Sequence, residues 1–157
     1  MPRTAAIGIQ DFETIIENNY FYVDKTNFIR EWWENGDSVT LITRPRRFGK
    51  TLNINMLERF FSLNYARQGK IFENLDIWKE AKYQELQGTK PVISFSFANV
   101  KENTFDKMKT RFCQIISDLY IKNEFLKDSG RLSGKDLKYF DRVSDEMAET
   151  DATISIY

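Results

Sequence analysis

Apolar side chains recur at intervals of three and four residues over several stretches of the chain. This spacing places them on one face of a helix, as expected for helices that pack against a core. The pattern predicts long helices over residues 50–63 and 104–122, a shorter helix that ends near Gly36, and a helix over 133–148. In the 50–63 helix the apolar face consists of Leu52, Met56, Leu57, Phe60 and Phe61.

Two shorter segments have the pattern of strands instead. Residues 39–43 are mostly apolar and β-branched, and residues 92–97 alternate apolar side chains with serines. The order strand, helix, strand, helix predicts an α/β layered domain, like that of the P-loop NTPases, with a parallel sheet. Two strands are few for an open sheet. Either weaker strands lie in 1–23 and 64–90, or part of the sheet lies outside this chain.

Composition narrows the possible functions. The chain has 157 residues, 41% of them hydrophobic, which is typical of one folded globular domain. Its 23 lysines and arginines balance 23 aspartates and glutamates, so net charge gives no reason to expect nucleic acid. The absence of histidine and the single Cys113 exclude a histidine-based triad, an intrachain disulfide and a cysteine metal cluster. No apolar run matches a membrane span or signal peptide, so we expect a cytoplasmic protein with no membrane partner.

The loop after residues 39–43 carries the candidate chemistry. A loop that opens a helix directs backbone N–H groups at one point, where the helix dipole adds positive charge. Gly49 would let the backbone approach a phosphate closely, Lys50 would contact the phosphates, and Thr51 would ligate Mg²⁺. The predicted nucleotide-binding residues are Arg44, Pro45, Arg46, Arg47, Phe48, Gly49, Lys50 and Thr51.

The match to the phosphate-loop consensus G-x-x-x-x-G-K-[ST] is incomplete, because Arg44 stands at the first glycine. A positive φ at Arg44 would be strained, unless the loop takes a different path. Two other interpretations stay open. The segment could be a structural turn in an interaction domain that does not catalyse, or Arg44, Arg46 and Arg47 could form a patch that binds nucleic acid.

Four segments make the sequence similar to the bacterial AAA-ATPase-like family. They are residues 7–12 (Ile-Gly-Ile-Gln-Asp-Phe), 20–26 (Tyr-Phe-Tyr-Val-Asp-Lys-Thr), 41–52 and 91–97. Within 41–52, the string Arg-Pro-Arg-Arg-Phe-Gly-Lys-Thr is highly specific to this family, so the missing first glycine is the family's own variant. The resemblance implies an ATPase-like P-loop domain over 1–157 that binds ATP and Mg²⁺. In this family a PD-(D/E)XK-type nuclease-like domain commonly follows.

One part of the family's pattern does not occur in the chain. The family's Walker B strand, an apolar run that ends in Asp-Glu, is found neither at 92–97 nor at 115–118. Residues 154–157 resemble the start of another element. We therefore expect an N-terminal fragment that lacks the Walker B region and the nuclease-like domain. Its catalytic residues are unidentified, and its ATP hydrolysis is expected to be impaired.

Overall fold

The computed structural model describes residues 4–98 and 100–145. The chain forms two compact units, Met1–Val92 and Ile93–Tyr157. Helices account for the regular structure of both units. In the described part of the chain, no helix has the length and apolar content needed to cross a membrane.

Residues 4–92 of the first unit contain four α-helices separated by loops and short 3₁₀ turns. The predicted helix that ends near Gly36 is confirmed, because Gly36 closes it in the left-handed conformation with φ 64°. The predicted helix over 50–63 is also confirmed. The α-helices are α1 (Phe12–Glu17), α2 (Asn27–Asn35), α3 (Lys50–Phe61) and α4 (Ala81–Leu86), and the 3₁₀ helices are Leu63–Tyr65, Gly69–Phe72 and Asp76–Lys79.

Aromatic rings fill the core of this unit. Met56 and Phe60 of α3 are fully buried, in agreement with the apolar face predicted for this helix. Phe72 packs edge-on against Phe60, with 5.2 Å between the ring centroids, and stacks on Phe12 at 5.3 Å. Ile29 brings α2 to the same cluster. The helix that begins at the candidate loop is therefore anchored along its whole apolar face.

Polar contacts attach α1 to α3. The backbone N–H of Phe12 donates to Asn55 Oδ1 at 2.7 Å, and the Arg59 guanidinium pairs with Asp11 at 2.9 Å and with Glu13. Asp11 also caps α1 by accepting from the N–H of Thr14 at 2.9 Å. These bonds fix the N-terminal end of α1 against the middle and the last turn of α3.

The second unit is built on α5 (Phe105–Lys122) and α6 (Gly134–Ser144), which flank the 3₁₀ helix Glu124–Ser129. The helix predicted over 104–122 is confirmed. Tyr120 packs against Phe140 with 4.8 Å between ring centroids, and a capping box of Ser133 and Asp136 starts α6. The helix predicted over 133–148 is confirmed up to Ser144, and residues 146–148 and 154–157 lie outside the described residues.

The predicted α/β fold with a parallel sheet is wrong. Residues 4–98 and 100–145 contain no strand, and their β pairing is limited to two isolated bridges, Ala5 with Phe21 and Ser62 with Lys90. The predicted strands 39–43 and 92–97 are irregular, and most of their apolar side chains are exposed, Val39 by 85% and Phe95 by 56%. A strand is stable only when its backbone groups bond to a neighbouring strand, so β propensity without such a neighbour produces none.

Candidate functional site

The loop before α3 closes on itself. Arg47 and Gly49 both have positive φ angles, 68° and 72°, and Gly49 is the N-cap of α3. Lys50 Nζ donates to the backbone oxygen of Arg44 at 2.6 Å, which joins the two ends of the loop. The φ angle of Arg44, in contrast, is not positive. The loop thus takes a path in which the missing first glycine causes no strain.

The N-terminus of α3 presents free backbone donors. The first hydrogen bond inside the helix runs from the N–H of Asn53 to the oxygen of Gly49, at 2.9 Å. The N–H groups of Lys50, Thr51 and Leu52 precede it and have no partner within the helix, and no side chain caps this terminus. Together with the positive end of the helix dipole, three such donors favour an anion.

A cleft of about 790 Å³ opens beside this terminus. Its volume is within the range of small-molecule sites. Three cationic side chains line it, those of Lys25, Arg47 and Lys50, whereas no carboxylate is found among the described residues of its wall. A largely apolar wall is formed by residues 6–10 and 21–23. The lining of the cleft therefore combines cationic and apolar side chains.

Tyr22 connects the apolar wall to α3. Its hydroxyl donates to Met56 Sδ at 3.5 Å, and its ring packs edge-on against Phe12 with 5.5 Å between centroids. Burial raises the pKa of Tyr22 to about 12. A hydrogen bond from the Lys25 backbone opposes this rise, and the negative charge of Asp24 adds to it. The phenol is therefore neutral at physiological pH and adds no negative charge to the cleft.

A second cleft, of about 800 Å³, is also lined by residues of the loop. Its wall includes Phe28 and Glu31 of α2 and residues 40–43. The eight predicted site residues are therefore not brought to one place. Arg47, Gly49, Lys50 and Thr51 line the first cleft, Arg44, Pro45 and Phe48 line the second, and Arg46 lines neither of the two.

Two residues that the sequence did not predict for the site line both clefts, Lys25 and Asn53. Asn53 lies one turn into α3 and is 9% exposed. Lys25 lies far from the loop in sequence. The sequence feature that could have pointed to it is its position inside the distinctive segment 20–26. Sequence spacing cannot show that such a residue reaches the loop.

A magnesium ion that arrives with a nucleotide fits the residues of the first cleft. Thr51 offers one hydroxyl there. Mg²⁺ keeps several waters and takes phosphate oxygens from its substrate, so it needs few protein ligands. Among residues 4–98 and 100–145 no group of three or more His, Cys, Asp or Glu side chains could hold a metal ion.

Comparison with known proteins identifies a family that matches this chain. A family model described as Predicted AAA-ATPase matches residues 6–154, nearly the whole chain. The chain is also 48% identical over 59 residues to an uncharacterized protein in the vnfD 5′ region of Azotobacter chroococcum mcd 1. That match covers 37% of this chain and 11% of the relative, so the chain spans a small part of the relative's length. No solved structure matches the chain significantly.

Proposed function

The chain belongs to the predicted AAA-ATPase family, and on this premise we propose that it binds ATP together with Mg²⁺ through residues 44–51. The observation that carries the proposal is the uncapped N-terminus of α3 beside Lys50 in a cleft with no acidic lining residue among those described. Phosphate binding needs this combination of backbone donors and fixed positive charge.

Several residues of the loop have a defined task in this proposal. The N–H groups at the start of α3 donate to phosphate oxygens, and Thr51 contributes its hydroxyl to Mg²⁺. A lysine ammonium has three donors, so Lys50 can keep its bond to the Arg44 oxygen and still donate to a phosphate. Arg47 adds charge from the same side of the loop, since it lines the same cleft.

Calorimetry on the Lys50→Ala variant tests the proposal. Removal of the ammonium is expected to weaken Mg·ATP binding by about 2–3 kcal/mol, the scale of hydrogen bonds to charged groups, or roughly 30- to 160-fold in Kd. Lys70→Ala is the matched control, because Lys70 is exposed on another helix and lines neither cleft. Equal ATP affinity in wild type and Lys50→Ala would sink the proposal and leave the loop a structural turn.

The arginine cluster is the basis of the alternative function, binding of nucleic acid. Arg44 and Arg47 line different clefts and Arg46 lines neither, which favours separate roles over one continuous patch. A filter-binding assay distinguishes the two functions. If the loop serves a triphosphate, Mg·ATP should displace any DNA or RNA bound there. Tight binding that falls steeply with salt and ignores ATP would favour the alternative.

A further inference from the structure

Lys25 is a cation beside the loop that the phosphate-loop motif does not include. It precedes α2, yet it lines both clefts that flank residues 44–51. In the first cleft it shares the wall with Arg47 and Lys50. Its side chain is exposed, and within residues 4–98 and 100–145 no carboxylate forms an ion pair with its ammonium.

The backbone of Lys25 is held on both sides. Its N–H donates to the Tyr22 hydroxyl at 3.3 Å, and its oxygen accepts from the N–H of Phe28 at 3.0 Å. The neighbouring Thr26 is fully buried, and its hydroxyl accepts from the N–H of Ile77 at 3.1 Å. The base of the Lys25 side chain is therefore fixed, and only its flexible stem is free to move toward a ligand.

The adjacent carboxylate is already occupied. Asp24 Oδ1 accepts from both the N–H and the hydroxyl of Thr26, at 2.8 and 2.7 Å, and Asp24 Oδ2 accepts from the N–H of Asp76 at 2.7 Å. These three bonds turn the Asp24 carboxylate toward its own segment and the 3₁₀ helix Asp76–Lys79. In the second cleft the acidic lining residue is Glu31, whereas the described lining of the first cleft has none. Electrostatics therefore favours an anion near Lys25 in the first cleft.

We propose that Lys25 is a second cation of the phosphate site and contacts the same phosphate chain as Lys50. This inference rests on the proposed nucleotide binding and deepens it. Lys25 lines the same cleft as Lys50 and the start of α3, so two lysines from different segments hold the anion. Phosphates are bound more strongly when more than one charged donor reaches them.

Substitution of Lys25 by Met tests the inference, because Met keeps the aliphatic stem and removes the charge. Calorimetry should show Kd for Mg·ATP and for inorganic tripolyphosphate raised about tenfold or more, by similar factors. Lys25→Arg should bind within about threefold of wild type. Lys70→Met, the matched control, should leave both affinities unchanged, and urea unfolding of each variant reports on the fold.

The outcomes separate the two proposals. Wild-type chain that binds neither probe overturns the proposed function and the role of Lys25 with it. Wild-type chain that binds ATP, with loss in Lys50→Met but none in Lys25→Met, overturns the role of Lys25 alone. Loss in Lys25→Arg equal to that in Lys25→Met also overturns it, since the charge would then not be the cause.

Discussion

Gly49 and Gly36 offer a paired experiment, because they share a local conformation and differ in their surroundings. Both have positive φ, 72° and 64°, at the end of a helix. A Cβ added at either position meets no atom within 4 Å. Gly49 lines the cleft beside α3, whereas Gly36 lines neither cleft. Substitution of each by alanine therefore separates backbone strain from the effect on a ligand.

The expected effect on stability follows from the backbone alone. An L-residue in the left-handed conformation costs roughly 1–2 kcal/mol, and the reduced freedom of the unfolded alanine chain offsets about 0.4–1 kcal/mol of this. Since no steric clash is added at either site, each variant should lose about 1 kcal/mol of unfolding free energy. In a chain of this length that is a fall in Tm of about 2–4 °C. Gly36→Ala and Gly49→Ala should differ little by thermal unfolding.

Nucleotide binding should separate the two variants. Gly49 lines the cleft next to the N–H groups at the start of α3, and the new methyl group of Gly49→Ala meets no protein atom within 4 Å. There it keeps a phosphate from close approach to the backbone, so ATP affinity should fall about tenfold or more, while Gly36→Ala stays within about twofold of wild type. Isothermal titration at a temperature well below both Tm values measures this. Equal ATP affinities for the two variants would refute the reasoning.

Two further predictions concern the elements that support the site. Thr26→Val removes the acceptor of the buried Ile77 N–H and should cost about 1–3 kcal/mol in urea unfolding, while the exposed Thr40→Val should change stability by less than about 0.5 kcal/mol. Burial raises the pKa of Asp11, but hydrogen bonds from Thr14 and the pairing with Arg59 together lower it by more. The net shift of this pKa is therefore downward from 3.8. The ionised Asp11 carboxylate therefore contributes to stability above about pH 3.8. This contribution is lost as the pH falls through the lower pKa that Asp11 has in the folded state. In urea unfolding from about pH 5 downward, the free energy of unfolding should fall less steeply with pH in Asp11→Asn than in wild type. Identical pH dependence in the two proteins would contradict this.

The helices could be predicted from the sequence because a helix satisfies its backbone within one segment. The spacing of apolar side chains in 50–63 and 104–122 gave the observed α3 and α5 within a few residues. The strands failed because the partner of a strand lies elsewhere in the chain, and local pattern says nothing about it. At Lys90 the backbone N–H donates to the oxygen of Phe61, at 2.8 Å, but the pairing does not extend beyond the isolated bridge of Ser62 with Lys90.

The candidate site, like the fold, could be predicted from the sequence only in part. Residues 44–51 are contiguous, so a motif could identify them, and the helix that follows them was predicted with them. The rest of the cleft comes from residues 6–10, from 21–23 and from Lys25, which reach the loop only through contacts such as Phe12 N–H to Asn55. A motif can identify residues 44–51 but not the other residues of the cleft, because their place beside the loop depends on long-range packing.

The loop also shows how its departure from the consensus is accommodated. The consensus places a glycine where Arg44 stands, yet the positive φ angles of this loop fall at Arg47 and Gly49. Arg44 contributes its backbone oxygen instead, which accepts from Lys50 Nζ at 2.6 Å. Any residue can supply that oxygen, so the first position has no need of glycine, whereas Gly49 combines a left-handed φ with a place on the cleft wall. The conformational requirement of this loop therefore lies at its helix end, where the N–H donors begin.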